Sequence, residues 1–264
     1  MLSLFAGLPH LVQALIATLF TWSVTAAGAA LVYLFQKPKK IVMDCMLGFS
    51  AGVMIAASYW SLLAPAIDMA NTMKLNPWMT VLIGFLGGGA LLLVGDQLYE
   101  YVNQRKTYRL SDKRCAMLML SITLHNIPEG MAVGVAFGSL AYALEGATLT
   151  AACLLALGIG LQNFPEGTAV SVPMLREGRS KHFAFFMGQL SGFVEPVAGV
   201  IGALLVLRVR ALLPYMLSFA AGAMIYVAVQ ELIPESQKNP NRTAITFFTM
   251  AGFSMMMVLD VALG

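Results

Sequence analysis

Crossing a bilayer takes about 20 consecutive apolar residues in helix. This chain carries eight segments of that kind, at about 8–36, 45–69, 78–102, 116–139, 148–174, 183–207, 211–234 and 244–263. In hydrocarbon the backbone must satisfy its own N–H and C=O groups, and segments of this length do so as helices. The predicted fold class is therefore an all-α polytopic membrane protein with eight transmembrane helices, forming one transmembrane domain over 1–264. Composition agrees, because 11% of the residues are charged, against about 25% in soluble domains. No Lys or Arg precedes Lys37, so the basic n-region of a secretory signal is missing and the first span is expected to be retained. Cys45, Cys115 and Cys153 lie far apart without a CxxC pair; they read as small buried hydrophobes rather than as a disulfide framework or a thiolate metal site. Nothing points to a nucleic-acid partner; the expected surroundings are a lipid bilayer.

Orientation follows from the basic residues in the connections. Lys37, Lys39 and Lys40 follow the first span; Arg105, Lys106, Arg109, Lys113 and Arg114 follow the third; Arg176, Arg179 and Lys181 follow the fifth; Lys238 and Arg242 follow the seventh. Together these are 13 of the 16 Lys and Arg. The remaining connections hold Lys74, Arg208 and Arg210. Odd-numbered loops are thus expected in the cytoplasm and both termini outside it, in a plasma membrane, which in a bacterium is the inner one.

Two stretches repeat. "LGFSAGVMIAASYWSL" at 47–62 aligns with "LSFAAGAMIYVAVQEL" at 217–232, in spans two and seven. "HNIPEG" and "QNFPEG" open at His125 and Gln162, in spans four and five. An odd number of crossings separates the members of each pair, so they run antiparallel. Inverted repeats flanking a site near the bilayer midplane are a signature of secondary transporters.

The acids are distributed unlike the bases. Glu129, Glu166 and Glu195 fall near the middle of spans four, five and six, with no Lys or Arg at their depth. An uncompensated carboxylate in hydrocarbon costs several kcal/mol, and adjacent like charges raise that cost. Either protons neutralise the group or a cation sits within it. His125 and Glu129 are four apart, and so are Gln162 and Glu166, which puts each pair on one helix face. Asn126 and Asn163 stand three before their glutamates. Pro128 and Pro165 free the carbonyls of Leu124 and Leu161 and are expected to bend the helices, while Gly130 and Gly167 allow close approach. Imidazole with carboxylates and amides suits a borderline ion such as Zn²⁺ better than Ca²⁺ or Mg²⁺, and Met54 offers a thioether. Asp68 and Asp260 near one surface, with Asp96, Glu231 and Glu235 toward the other, are candidate stepping stones for a cation.

These residues resemble the ZIP (Zrt- and Irt-like) family of divalent metal transporters, the GufA-type branch above all. "HNIPEGMAVG", "GLQNFPEG", "GQLSGFVEPVAG" and "FAAGAMIYV…ELIPE" carry the likeness over nearly the whole chain. It implies eight helices arranged 3+2+3, outward-facing termini and metal moving toward the cytoplasm, with Zn²⁺ as usual cargo and Fe²⁺, Mn²⁺ or Cd²⁺ often accepted. By matching positions, one centre would use Met54, His125, Glu129, Gln162 and Glu166. A second would use Asn126, Glu129, Asn163, Glu166 and Glu195. Many members place His where this chain has Gln162, and some place Asp where it has Asn163. The connection 103–114 contains no His, unlike the His-rich loop of many eukaryotic members.

Two other classes stay open on the residues alone: a proton-coupled carrier of an organic solute, and an intramembrane metalloenzyme using a His/Glu site to activate water. Against the enzyme, HExxH is absent and the chain has three histidines, His10, His125 and His182. No Walker motif accompanies the spans. The small-residue face "GFLGGGA" at 84–90 allows either close helix packing or a homodimer.

Overall fold

The computed structural model describes residues 2–34, 39–104, 110–143 and 147–263. Lys37, Arg105, Lys106 and Arg109, which bear on the expected orientation, lie outside these residues. So do the side chains of Lys113, Arg114, Cys115, His125 and Arg176.

Long helices follow the hydropathy. After a turn of helix at Leu2–Ala6 come α1 (His10–Leu34), α2 (Lys40–Thr72), α3 (Pro77–Gln104), α4 (Leu110–Ser139), α5 (Leu149–Arg176), α6 (Lys181–Arg208), α7 (Arg210–Ser236) and α8 (Arg242–Leu263). Among the described residues no strand occurs. Among the described residues, six of these helices are long and apolar enough to cross a membrane; the described parts of α4 and α5, which bear the repeated polar motif, are not among the six. The chain is an all-helical, polytopic integral membrane protein.

Local chemistry sets the helix ends. Thr148 and Ser180 cap α5 and α6, their hydroxyls accepting from Ala151 N at 3.0 Å and Phe183 N at 3.2 Å. At the end of α5, Gly178 takes φ +84°. Its N–H reaches Leu175 O at 3.1 Å and Arg179 N reaches Met174 O at 3.1 Å, a Schellman stop that needs a residue without a Cβ penalty.

Helix α2 packs with α8, α3 with α7, α1 with α5, and α4 with the second half of α6; α2 also meets α5, and α7 meets α4. Exchanging α1–α3 with α6–α8, and α4 with α5, maps these pairs onto one another. The longer sequence repeat carries a matching irregularity. Ser58–Leu63 in α2 and Ala228–Leu232 in α7 are π-helical, just before Pro65 and Pro234. Proline offers no N–H to the carbonyl four residues back, and a wider turn accommodates the loss. By contrast, α4 and α5 continue as helix through Pro128 and Pro165. The interruption near the motif lies in α6 instead, at Phe193 between Lys181–Gly192 and Val194–Arg208.

Burial orders the bundle. Of the most apolar window in each span, 72% is buried in α2 and 61% in α7, but 22% in α3 and 17% in α8, so the last two form its outer flank. The face at 84–90 is used inside the chain. A Cβ on Gly88 would stand 1.9 Å from Phe219 O, and one on Gly84 2.0 Å from Ser218 Oγ, so α3 lies backbone to backbone on α7.

Candidate metal centre

The centre of the bundle is polar. Glu129, Asn126, Gln162, Asn163 and Glu195 have no exposed surface, and Glu166 is 3% exposed. Helices α4, α5 and α6 bring these side chains in. Helix α4 can approach α6 because Gly130 has no Cβ: one there would lie 2.4 Å from Glu195 O. Helix α5 can approach α1 because a Cβ on Gly167 would lie 2.0 Å from Thr25 O. Both expected close approaches are present.

The two motif copies meet. Gln162 Nε2 donates to Glu129 Oε1 at 2.6 Å, joining α5 to α4. Asn126 Nδ2 donates to Ser191 O at 2.8 Å, joining α4 to α6. Ser50 Oγ on α2 stands 3.1 Å from Glu166 Oε1 and 3.2 Å from Gln162 O. Met54, one turn beyond Ser50, is fully buried in the core. Glu195 is held from three sides. Thr21 Oγ1 donates to its Oε2, Thr25 Oγ1 lies 3.3 Å from its Oε1, and Asn163 Nδ2 is 2.9 Å from both oxygens.

Donors run short elsewhere. Asn126 Oδ1, Glu129 Oε2, Gln162 Oε1 and Asn163 Oδ1 are buried and have no hydrogen-bond partner among the described residues. Leaving a buried acceptor unsatisfied costs roughly 1–3 kcal/mol each, so a native fold rarely keeps several in one place. All four are oxygens. Among the described residues no group of three His, Cys, Asp or Glu side chains could hold a metal by itself; the cluster mixes carboxylate with amide.

The expected stepping stones differ in their surroundings. Asp68 is exposed. Asp260, half-buried, accepts from Ser61 Oγ at 2.9 and 3.0 Å. Asp96 accepts from Tyr226 OH at 2.8 Å, and Glu235 pairs with Lys238 at 2.5 Å. Glu231 is half-buried. Thr21 and Thr25 are members of the cluster that no sequence motif marks, and Ser50 lies in the longer repeat without being among the expected site residues. Thr18, Thr21 and Thr25 are all fully buried, and their spacing of three and four residues, one polar stripe on an apolar helix, is the signal that could have found them. Asp44 is likewise unmarked by any motif, yet it is buried and accepts from Asn239 Nδ2 at 2.8 Å.

A helical bundle with membrane-length apolar spans that encloses a buried cluster of acids and amides defines the class: a polytopic integral membrane protein with a polar core. The ZIP zinc transporter family model matches residues 110–260, and the chain belongs to that family. It is 38% identical to zinc transporter ZIP11 of Homo sapiens, over 96% of this chain and 97% of that protein. It is 34% identical to zinc transporter ZIPB of Bordetella bronchiseptica, over 97% of this chain and 82% of that one. With zinc transporter GufA of Myxococcus xanthus it shares 33% over 95% and 98%.

Proposed function

We propose that this protein carries divalent metal ions, Zn²⁺ first among them, across the membrane toward the cytoplasm, through the cluster on α4 and α5. The observation that carries this reading is the set of four buried oxygens, on Asn126, Glu129, Gln162 and Asn163, that find no donor among the described residues, beside the buried carboxylate of Glu166. A 2+ ion supplies at one point the charge and the coordination that these groups lack. A proton-coupled organic carrier would need hydrogen-bond donors there as well, and the similarity to proteins named as zinc transporters favours zinc.

The ligand set we assign is Glu129 and Glu166 for charge, with Gln162, Asn126 and Asn163 offering amide oxygens, His125 an imidazole nitrogen and Met54 a thioether. Cd²⁺, Fe²⁺ and Mn²⁺ are further candidate cargo. In this reading all eight helices span the membrane as a single domain in a 3+2+3 inverted arrangement, which the exchange of helix pairs supports. Both termini face outside a plasma membrane. Asp68 and Asp260 would serve the outer mouth; Asp96, Glu231 and Glu235 would serve the inner one. The test is uptake of Zn²⁺, Cd²⁺, Mn²⁺, Fe²⁺, Mg²⁺ and Ca²⁺ by the purified protein in sealed liposomes. Zinc flux above that of empty vesicles, with Mg²⁺ and Ca²⁺ excluded, is expected. Metal-independent proton flux without zinc uptake would replace the reading with a proton-coupled carrier.

A further inference from the structure

Glu129 and Glu195 are both wholly buried, but the hydrogen bonds around them differ. An ionised carboxylate offers about four acceptor positions on its two oxygens. At Glu195 donors reach both oxygens: Thr25 at Oε1, Thr21 at Oε2, and the Asn163 NH₂, which also lies near Thr21 O, shared between the two. Each threonine hydroxyl also lies near a helix carbonyl, Thr21 near Thr18 O and Thr25 near Thr21 O, but has one proton to give. A carboxylate is the stronger acceptor for it. This carboxylate is satisfied by the protein alone.

Its partner Asn163 faces two ways. The amide must turn its NH₂ toward Glu195, because its oxygen there would meet another acceptor. That orientation leaves Asn163 Oδ1 buried without a donor, one of the four such oxygens.

We propose that Glu195 is a positioning residue in this chain and not a metal ligand. Thr21 and Thr25 anchor its carboxylate, the carboxylate fixes the Asn163 amide, and Asn163 presents its oxygen to a single ion held by Glu129 and Glu166. The proposal rests on the metal-transport reading above and adds that one ion, not two, occupies the cluster, with α1 supplying the support. Hydrogen-bonded groups behind a ligand commonly change metal affinity by about 10–100-fold without entering the ligand shell.

The experiment measures bound Cd²⁺ per chain by equilibrium dialysis of the full-length protein in nanodiscs, with zinc uptake in parallel. Wild type should bind one ion per chain. Glu195→Gln should still bind one, with affinity weakened by about tenfold or more. Thr21→Val with Thr25→Val should raise the KM for Zn²⁺ several-fold, while Thr21→Ser with Thr25→Ser, which keeps both hydroxyls, should restore it. Two ions in wild type, one of which Glu195→Gln removes, would overturn the proposal, as would a valine pair with unchanged KM. Glu129→Gln serves as the control. Undiminished metal binding in that variant would sink the transport reading itself, whatever Glu195 does.

Discussion

Two glutamates on neighbouring helices show how one fold treats the same side chain in opposite ways. Glu195 is enclosed by two threonines and an asparagine that bring donors to both of its oxygens. Glu129 accepts from Gln162 at its Oε1 and keeps its Oε2 unpartnered. Both are equally buried, so exclusion from water does not separate them. The supply of donors does. In the proposed reading the carboxylate that the protein satisfies is structural, and the one that it leaves short is completed by a cation.

Removing each charge in turn should separate the two glutamates most strongly. Glu129→Gln keeps the shape but deletes half of the charge that balances a 2+ ion. Breaking a buried ionic partnership costs roughly 3–5 kcal/mol, so zinc uptake should fall by about a hundredfold or more at matched protein levels. Glu195→Gln should lose markedly less. Equal losses would erase the distinction between the two sites. Acidification probes both together. Bound metal requires ionised carboxylates, so initial uptake should fall as pH drops, by up to about tenfold per pH unit for each proton displaced. A rate that rises on acidification would contradict metal binding at ionised glutamates.

Gln162→His sharpens the open side. Neutral imidazole is a stronger donor to borderline ions than an amide oxygen, so Zn²⁺ should bind roughly tenfold tighter, gaining over Mn²⁺ in a competition assay. Gly167→Ala probes the enclosed side. Its Cβ would stand 2.0 Å from Thr25 O, pushing α1 off α5 and displacing a Glu195 donor. Overpacking of this kind costs about 1–3 kcal/mol, read as lower thermal stability. Gly87→Ala, with its nearest neighbour 3.7 Å away, should be silent. The smallest effect is expected at Met54. If its sulfur touches the ion, Met54→Ala should weaken Cd²⁺ a few-fold more than Mn²⁺, and equal losses would assign Met54 to packing.

Much of the architecture is legible in the sequence alone. Segments of about 20 apolar residues announce the helices, and the expected limits 148–174 correspond to Leu149–Arg176. The glutamates stand out because hydrocarbon penalises charge so heavily that three of them, with no Lys or Arg at their depth in the sequence, demand a reason. The supporting hydroxyls are quieter. A buried threonine can donate to its own helix, as Thr18 does to Ala14 O at 2.8 Å, so Thr21 and Thr25 read as ordinary helix residues until α1 is placed against α6. The irregular turns are hidden for a related reason. Proline marks a lost hydrogen bond, but neighbouring packing decides how that loss is absorbed. Pro65 and Pro234 follow π-helical turns, while helix runs on through Pro128 and Pro165. The glycines of 84–90 imply that some backbone comes close, though not that it is α7.

The most direct test is to locate the ion. Crystals of the protein grown with Zn²⁺, measured at the zinc absorption edge, should show one strong anomalous peak at mid-bundle. Carboxylate oxygens of both Glu129 and Glu166 should lie about 2.0–2.2 Å from it, with Glu195 outside the coordination shell and still bonded to Thr21 and Thr25. A peak centred on Glu195, or no peak between α4 and α5, would contradict the account.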